Sequence, residues 1–317
     1  ARLLLESDDF DLVLVNDLAG PADIARLLKY DSVHRNLPYP VTTDGHSITA
    51  KGQTFRCTSE RSPEDVPWSE ASVDLVFECT GLFRDRESAS RILGAGVGKV
   101  VISAPAQDPD ITIVMGVNDD AYIPGEHRII SNASCTTNCL APLAKVLLET
   151  CGIEHASMTT VHAYTNGQNL LDRHHTDPRR SRAAAENMIP TTTGAAKAVA
   201  LVLPQLEGKI KGMAIRVPTP NVSLVDLVFR SERPTSTKEI NAALRAAAEG
   251  SLQGVLGYSE EPLVSCDYLG SSDSSTVDAL STEVIDGRMV KVLAWYDNEW
   301  GFSNRLLDLA RHVTSGE

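Results

Sequence analysis

The sequence predicts an α/β domain on a doubly wound parallel sheet, followed by an α+β domain on an antiparallel sheet. Three observations carry this expectation. The first 133 residues alternate short β-branched runs with helical patterns, the signature of parallel strands joined by crossover helices. After residue 155 the β-rich runs lengthen and the alternation stops. Near the C-terminus, Asp286-Gly287 separates two strand-like runs, STEVI and RMVKVLAWYDN, and marks an antiparallel hairpin.

In chain order, DLVLVND (11–17) reads as a strand and PADIARLLKY (21–30) as a helix. HSITAKGQTFRCTS (46–59) interrupts the alternation as a hairpin. VDLVFECTG (73–81) is a strand, RESASRILGAG (86–96) a helix closed by glycine, and KVVISAP (99–105) a strand. HRIISNASC then runs from a strand into the helix CTTNCLAPLAKVLLETCG, whose Leu140, Leu143, Val146 and Leu147 form one apolar face. In the second half SMTTVHAYTN (157–166) reads as a strand. Residues 167–189 are polar, rich in arginine and without period, a length that in a folded domain is usually functional or at an interface. Further on come a helix over 194–206, β-rich runs over 212–230, a helix over 238–250, the hairpin, and a final helix over 304–313.

Composition excludes several classes of function. At 317 residues, 42% hydrophobic and 22% charged, the chain has material for two globular domains. Its net charge of -13 would repel a nucleic acid or an anionic membrane, so neither is expected as a partner. No apolar run approaches the roughly 18 residues of a membrane span and no secretory signal pattern is present, so a soluble cytoplasmic protein is expected. The six cysteines fall at spacings that repeat nothing, which points to reduced thiols, and Cys135 and Cys139 lack the partners of a metal site.

The stretch SNASCTTNCLAP (131–142) carries the chemistry. A cysteine where a helix begins meets unpaired backbone N–H groups and the positive end of the helix dipole, which favours thiolate. From the residues alone two readings of Cys135 stand: a nucleophile, or a small apolar residue behind a Ser134 cap. Cys139, one turn on, reads as a core thiol. A nucleophile needs a base, and His162, closing a strand in a polar segment, is the best placed of eight histidines.

Many short stretches then carry one resemblance: VNDL, LLKYDSVH, ECTGLF, ISAPA, ITIVMGVN, SNASCTTNCLAP, MTTVHAYTN, IPTTTGAAKAV, AIRVPTPNVS, DALST and WYDNEWGFSNR. Along nearly all of its length the chain resembles the phosphorylating glyceraldehyde-3-phosphate dehydrogenases. The resemblance implies a Rossmann-like dinucleotide-binding domain over 1–133, completed by a C-terminal helix over 302–317, and a catalytic domain over 134–301. It implies Cys135 as the nucleophile and His162 as its base, with a hemithioacetal and a thioester as intermediates. Thr165 and Arg216 would meet the C3 phosphate of glyceraldehyde 3-phosphate. Ser134, Thr136, Arg180, Thr193 and Gly194 would meet inorganic phosphate. Arginine suits this task because its planar fork binds phosphate oxygens in pairs.

For the cofactor, Asp17 at the end of a strand is placed to hold a ribose 2'-hydroxyl and repel a 2'-phosphate, which favours NAD. Arg173-His174, where NAD-preferring members commonly have another dipeptide, leaves NADP open. Thr80, Ser103 and Asn298 would line the nicotinamide half. Gly167 replaces an acidic residue of the family beside the C3 phosphate. By the same resemblance the 167–189 loop packs across a subunit interface, which implies a homotetramer. A first strand and a glycine-rich turn are expected ahead of ARLLLESDDF, in a longer natural product. Two alternatives remain at this point: a paralogue for another phosphorylated aldehyde such as erythrose 4-phosphate, and a non-catalytic regulatory relative.

Overall fold

The computed structural model describes residues 1–315. They group into two units, one of Ala1–Thr112, Tyr122–Asn132 and the chain from Leu306 onward, the other of Ile113–Ala121 and Ala133–Arg305.

In the first unit a short helix, α1 (Arg2–Glu6), precedes β1 (Leu14–Asn16). The strand is shorter than the run 11–17 because only three residue pairs join it to its neighbour β4 (Gln53–Thr58). The hairpin predicted at 46–59 forms as β3 (Ser47–Ala50) against β4, and β2 (Val41–Thr43) extends it, giving the order β1-β4-β3-β2. Over this sheet lies α2 (Pro21–Lys29), with proline in its first turn, where a missing N–H costs nothing. Its Ala25 and Leu28 pack with Leu5, Ile48 and Phe55.

The rest of this unit is a parallel sheet of β5 (Leu75–Glu78), β6 (Lys99–Ile102), β7 (Ile111–Thr112) and β8 (Ile129–Ser131), in the order β5-β6-β8-β7. Helix α3 (Arg86–Gly94) crosses it, capped by Asp85, whose Oδ1 accepts the Ser88 N–H at 2.8 Å. The α/β class is as expected, but the strands form two four-stranded sheets rather than one. Leu14 of β1 and Val76 of β5 share an apolar cluster, so side-chain packing rather than a backbone ladder relates these strands.

The second unit is a seven-stranded sheet against helices. Its strands are β9 (His155–Ala163), β10 (Ile189–Thr192), β11 (Ile210–Val217), β12 (Ser223–Arg230), β13 (Leu256–Ser259), β14 (Ser275–Ile285) and β15 (Met289–Tyr296). Their order is β10-β11-β9-β12-β15-β14-β13. The sheet is mixed rather than purely antiparallel, because β9 runs parallel to β11 and β13 parallel to β14. The Asp286-Gly287 hairpin forms between β14 and β15, with positive φ at both residues as a tight turn of this kind requires.

Helix α4 (Cys135–Cys151) packs on α5 (Ala195–Val202), on α6 (Thr237–Ala248) and on the sheet. It therefore buries almost its whole circumference, not the single stripe its apolar residues suggested. Residues 164–188 form neither helix nor strand. The segment is tied to itself instead, by the Ala184 N–H on the Asn169 carbonyl at 3.0 Å and the Arg173 N–H on the Ser181 carbonyl at 2.9 Å. The last helix, α7 (Trp300–Thr314), starts earlier than expected because Asp297 Oδ1 accepts the N–H groups of Glu299 and Trp300. Of the C-terminal helix expected over 302–317, Gly316 and Glu317 lie outside the described residues.

Gly152 closes α4 at φ 71° and ψ 162°, a conformation essentially restricted to glycine. A Cβ there would come 2.7 Å from Glu232 Cβ. Gly152→Ala should therefore destabilise the second unit by about 1–3 kcal/mol, read as a lower denaturant midpoint. An unchanged midpoint would contradict this description of the α4 terminus.

Candidate active site

The site starts at a change of direction. Ala133 takes a positive φ of 56° between β8 and α4, a strained conformation for a residue with a Cβ. Ser134 then caps the helix: its Oγ accepts the Thr137 N–H at 3.1 Å, and its carbonyl accepts from Asn138 Nδ2 at 3.0 Å. Cys135 is thus the first residue of a 17-residue helix, with the orphan N–H groups of the first turn around it.

His162 arrives from β9. Its Nε2 lies 3.6 Å from Cys135 Sγ, and its ring is only 4% exposed. On the other side Nδ1 is 2.7 Å from the Ala163 carbonyl oxygen. That oxygen can only accept, so Nδ1 carries the proton and the basic Nε2 faces the sulfur.

The parallel β9–β11 register sets Arg216 opposite His162. Arg216 Nη1 donates to the Ala163 carbonyl at 3.0 Å and to Thr165 Oγ1 at 3.2 Å. It also approaches His162 Nδ1 at 3.1 Å, a contact between two N–H groups that adds positive potential behind the imidazole. Arg216 Nε and the neighbouring Gln168 Nε2 are buried without a hydrogen-bond partner among the described residues. Gln168 Oε1 meanwhile accepts the Thr165 N–H at 3.3 Å. Two such donors beside Thr165 suit an anionic oxygen, since an unpaired buried N–H is costly. Gly167, which leaves Thr165 Oγ1 and Arg180 Nη1 beyond 3.5 Å from where a Cβ would stand, adds no acidic group to this corner.

Arg180 is held by Thr191 Oγ1 at 2.9 Å from its Nε, and Thr191 in turn donates to Asp177 Oδ2 at 2.8 Å. Thr193 and Gly194 open α5, where Thr193 Oγ1 accepts the Ala195 N–H at 3.2 Å. Thr136 Oγ1 is turned inward to the Tyr296 hydroxyl at 2.9 Å. Asn298 Oδ1 accepts from Ser223 Oγ at 2.7 Å, and Ser223 Oγ accepts the Ala163 N–H at 3.1 Å, so the amide is oriented by the same strand end that carries His162.

The first unit holds the remaining expected residues at the carboxyl ends of strands, the edge where open α/β sheets bind ligands. Asp17 follows β1, with Oδ1 accepting the Ala19 N–H at 2.8 Å. Thr80 follows β5, where its N–H and hydroxyl both reach Glu78 Oε1. Ser103 follows β6, with its N–H on the Glu78 carbonyl at 3.0 Å.

Sequence reasoning missed Tyr296, Gln168 and Glu78. Tyr296 had one legible signal, a hydroxyl-bearing aromatic in the run WYDN. Gln168 and Glu78 had none that separated them from ordinary polar residues.

Electrostatically the site differs from the expectation of a standing thiolate. Burial pushes the Cys135 thiol up, against the pull of the Arg216 guanidinium. Burial first, and then the charge of Arg216, push His162 down from 6.5 to about 4. Desolvation therefore favours a thiol and a neutral imidazole over either charge alone, against the backbone N–H groups at the helix start.

With this geometry in view, the relatives of the chain are informative. Residues 134–298 match the family model of the glyceraldehyde 3-phosphate dehydrogenase C-terminal domain, and residues 1–86 that of the NAD binding domain of the same enzymes. The chain belongs to the glyceraldehyde-3-phosphate dehydrogenase family. It is 60% identical over 314 residues to the glyceraldehyde-3-phosphate dehydrogenase of Geobacillus stearothermophilus, covering 99% of this chain and 94% of that protein. Glyceraldehyde-3-phosphate dehydrogenase 1 of Bacillus subtilis is 57% identical over 312 residues, covering 98% and 93%. Glyceraldehyde-3-phosphate dehydrogenase 2 of a Nostoc species is 55% identical over 309 residues, covering 97% and 92%. The family is one of NAD-dependent oxidoreductases, and of the strand-end residues of the first unit Asp17 and Thr80 lie within the match to its NAD binding domain, Ser103 beyond it.

The depressed His162 makes a pH prediction. An unfolded chain takes up this proton near pH 6.5, whereas the native site refuses it until about pH 4. Stability from the neutral imidazole is therefore complete above the unfolded value and is lost as the pH falls through this window. Relative to His162→Asn, the native chain should lose roughly 3 kcal/mol of unfolding free energy across it, measured by urea titration at each pH. Parallel curves for the two proteins would contradict a buried neutral imidazole.

Proposed function

We propose that this chain oxidises glyceraldehyde 3-phosphate to 1,3-bisphosphoglycerate, using inorganic phosphate and NAD. The observation that carries the reading is Cys135 Sγ at 3.6 Å from the unprotonated Nε2 of His162, with Arg216 behind the ring. A nucleophile, its base and an anion-binding cation would then stand together, the base buried and the other two half-buried.

Beginning from the neutral pair, His162 Nε2 takes the Cys135 proton as the sulfur adds to the aldehyde carbon, and passes it to the carbonyl oxygen to complete a hemithioacetal. His162 takes that hydroxyl proton again as hydride departs from the carbon, leaving a thioester on Cys135. NAD, when bound, supplies the acceptor for this hydride. The imidazolium and the Cys135 N–H at the start of α4 then hydrogen-bond the thioester oxygen while phosphate oxygen attacks. The carbon–sulfur bond breaks, the acyl phosphate leaves, and the proton returns from His162 to sulfur. Thiol and imidazole are restored.

Thr165, Arg216 and Gln168 would hold the C3 phosphate, with the unpaired Nε of Arg216 and Nε2 of Gln168 as the donors that an anion satisfies. Ser134, Thr136, Arg180, Thr193 and Gly194 are assigned to inorganic phosphate, Thr136 through the hydroxyl hydrogen left after its bond with Tyr296. For the cofactor, Asp17, Thr80 and Ser103 would act at the strand ends and Asn298 at the carboxamide. The exposed carboxylate of Asp17 favours NAD over NADP. In domain terms, residues 1–133 with the C-terminal helix form the dinucleotide-binding part and residues 134–301 the catalytic part.

A cytoplasmic homotetramer belongs to the same reading. Supporting it, the 167–189 loop exposes three large apolar side chains, Leu170, Leu171 and Met188, a pattern suited to burial against another subunit. The erythrose 4-phosphate and non-catalytic alternatives are not favoured, given relatives that carry the glyceraldehyde-3-phosphate dehydrogenase name and a site with its nucleophile, base and arginines all present.

Given NAD, phosphate and glyceraldehyde 3-phosphate, the protein should reduce NAD, followed by absorbance. Cys135→Ala should abolish this, and His162→Asn should slow it about 10²–10⁴-fold. Turnover persisting in Cys135→Ala would overturn the assignment of the nucleophile.

A further inference from the structure

Tyr296 ends β15 and is 2% exposed, so its hydroxyl must find its partners inside the protein. It finds two. Thr136 Oγ1 lies 2.9 Å away and Thr160 Oγ1 lies 2.8 Å away. Thr136 is the residue after Cys135 on α4. Thr160 is on β9 two residues before His162, on the same face of the strand, and is fully buried. One phenol oxygen therefore joins the helix start that carries the sulfur to the strand that carries the imidazole.

The ring contributes as well as the hydroxyl. Its plane meets that of His162 at 83°, with centroids 5.9 Å apart, the edge-to-face arrangement that aromatic pairs prefer. Burial holds the phenol protonated, well above its ordinary value of 10. It thus has one proton to donate, to one threonine, and accepts the hydroxyl proton of the other. If it donates to Thr136, the Thr136 proton is left for sulfur or phosphate oxygen.

We infer that Tyr296 is a positioning residue for the reaction: its hydroxyl, bridging Thr136 and Thr160, and its ring, packed on His162, hold Cys135 Sγ and His162 Nε2 at contact distance. This rests on the reading of Cys135 and His162 as nucleophile and base. Removing the hydroxyl leaves two buried threonine hydroxyls short of a partner, and such groups move to recover one. Either element then shifts against the other, and small misplacements of a reacting pair cost up to about 10² in rate.

The test is the rate of Cys135 alkylation by iodoacetamide as a function of pH in the full chain, with steady-state kinetics alongside. Wild type comes first: the resting sulfur is a thiol, but His162 can take its proton as it attacks, so alkylation faster than that of the other cysteines, removed by Cys135→Ala, supports the underlying reading, and its absence overturns that reading itself. With the fast thiol established, Tyr296→Phe should slow its alkylation at neutral pH about tenfold or more. It should also move the midpoint of the pH profile, and lower kcat with little change in KM for the aldehyde. Thr160→Val, which keeps the shape of the side chain and removes only the far partner, should act in the same direction and serves if Tyr296→Phe does not fold. A purely structural role would lower the melting temperature and leave the pH profile in place. Wild-type profiles and kcat within about twofold in the folded variants would overturn the proposal.

Discussion

The second unit is built to keep a half-buried thiol and a buried imidazole in contact. Desolvation disfavours each charge, so neither Cys135 nor His162 ionises alone in the free site. What burial permits is a proton passed between them, which needs the donor and acceptor atoms held close and correctly oriented. The Ala163 carbonyl provides the orientation, by taking the Nδ1 proton and leaving Nε2 as the base. A helix cap and a strained residue, Ser134 and Ala133, provide the position of the sulfur.

Arg216 adds a second layer to the same constraint. Set beside His162 by strand register, it raises the potential behind the imidazole and opposes its protonation, while it favours charge on sulfur. The two effects pull against each other in the free site. An anion on the guanidinium would offset its field, and the unpaired Nε is a donor available to one. A substrate phosphate bound there would link anion binding and acid–base chemistry through one side chain.

Much of this was legible in the sequence, wherever the signal was local. The Asp286-Gly287 turn, the glycine-closed α3 and the cysteine at a helix start are short-range features, and the motif SNASCTTNCLAP carries its own cap. The bounds of α4 followed from them, whereas β9 runs over His155–Ala163 rather than 157–166. Less legible was whatever depends on residues far apart in the chain. Tyr296 meets Thr136 and Thr160 across separations of 160 and 136 residues, and no periodicity encodes that meeting. The all-round burial of α4 arises from two helices and a sheet packing on it, which its own apolar residues could not announce. The neutral state of Cys135 was obscured for a related reason: the dipole argument is local, while desolvation is set by the surrounding fold. In the first unit most strands were readable, but not the short β2 and β7, nor the division between two ladders.

The central claim is that Cys135 carries the acyl group between oxidation and transfer to phosphate. It is tested most directly by mixing the protein with glyceraldehyde 3-phosphate and NAD without phosphate, quenching in acid, and locating the adduct by peptide mass spectrometry. One acyl group is expected as a thioester on the peptide containing Cys135, discharged when phosphate is added before the quench. An adduct on Cys139 or another residue, or NADH formed in stoichiometric amount with no acyl-protein, would contradict it.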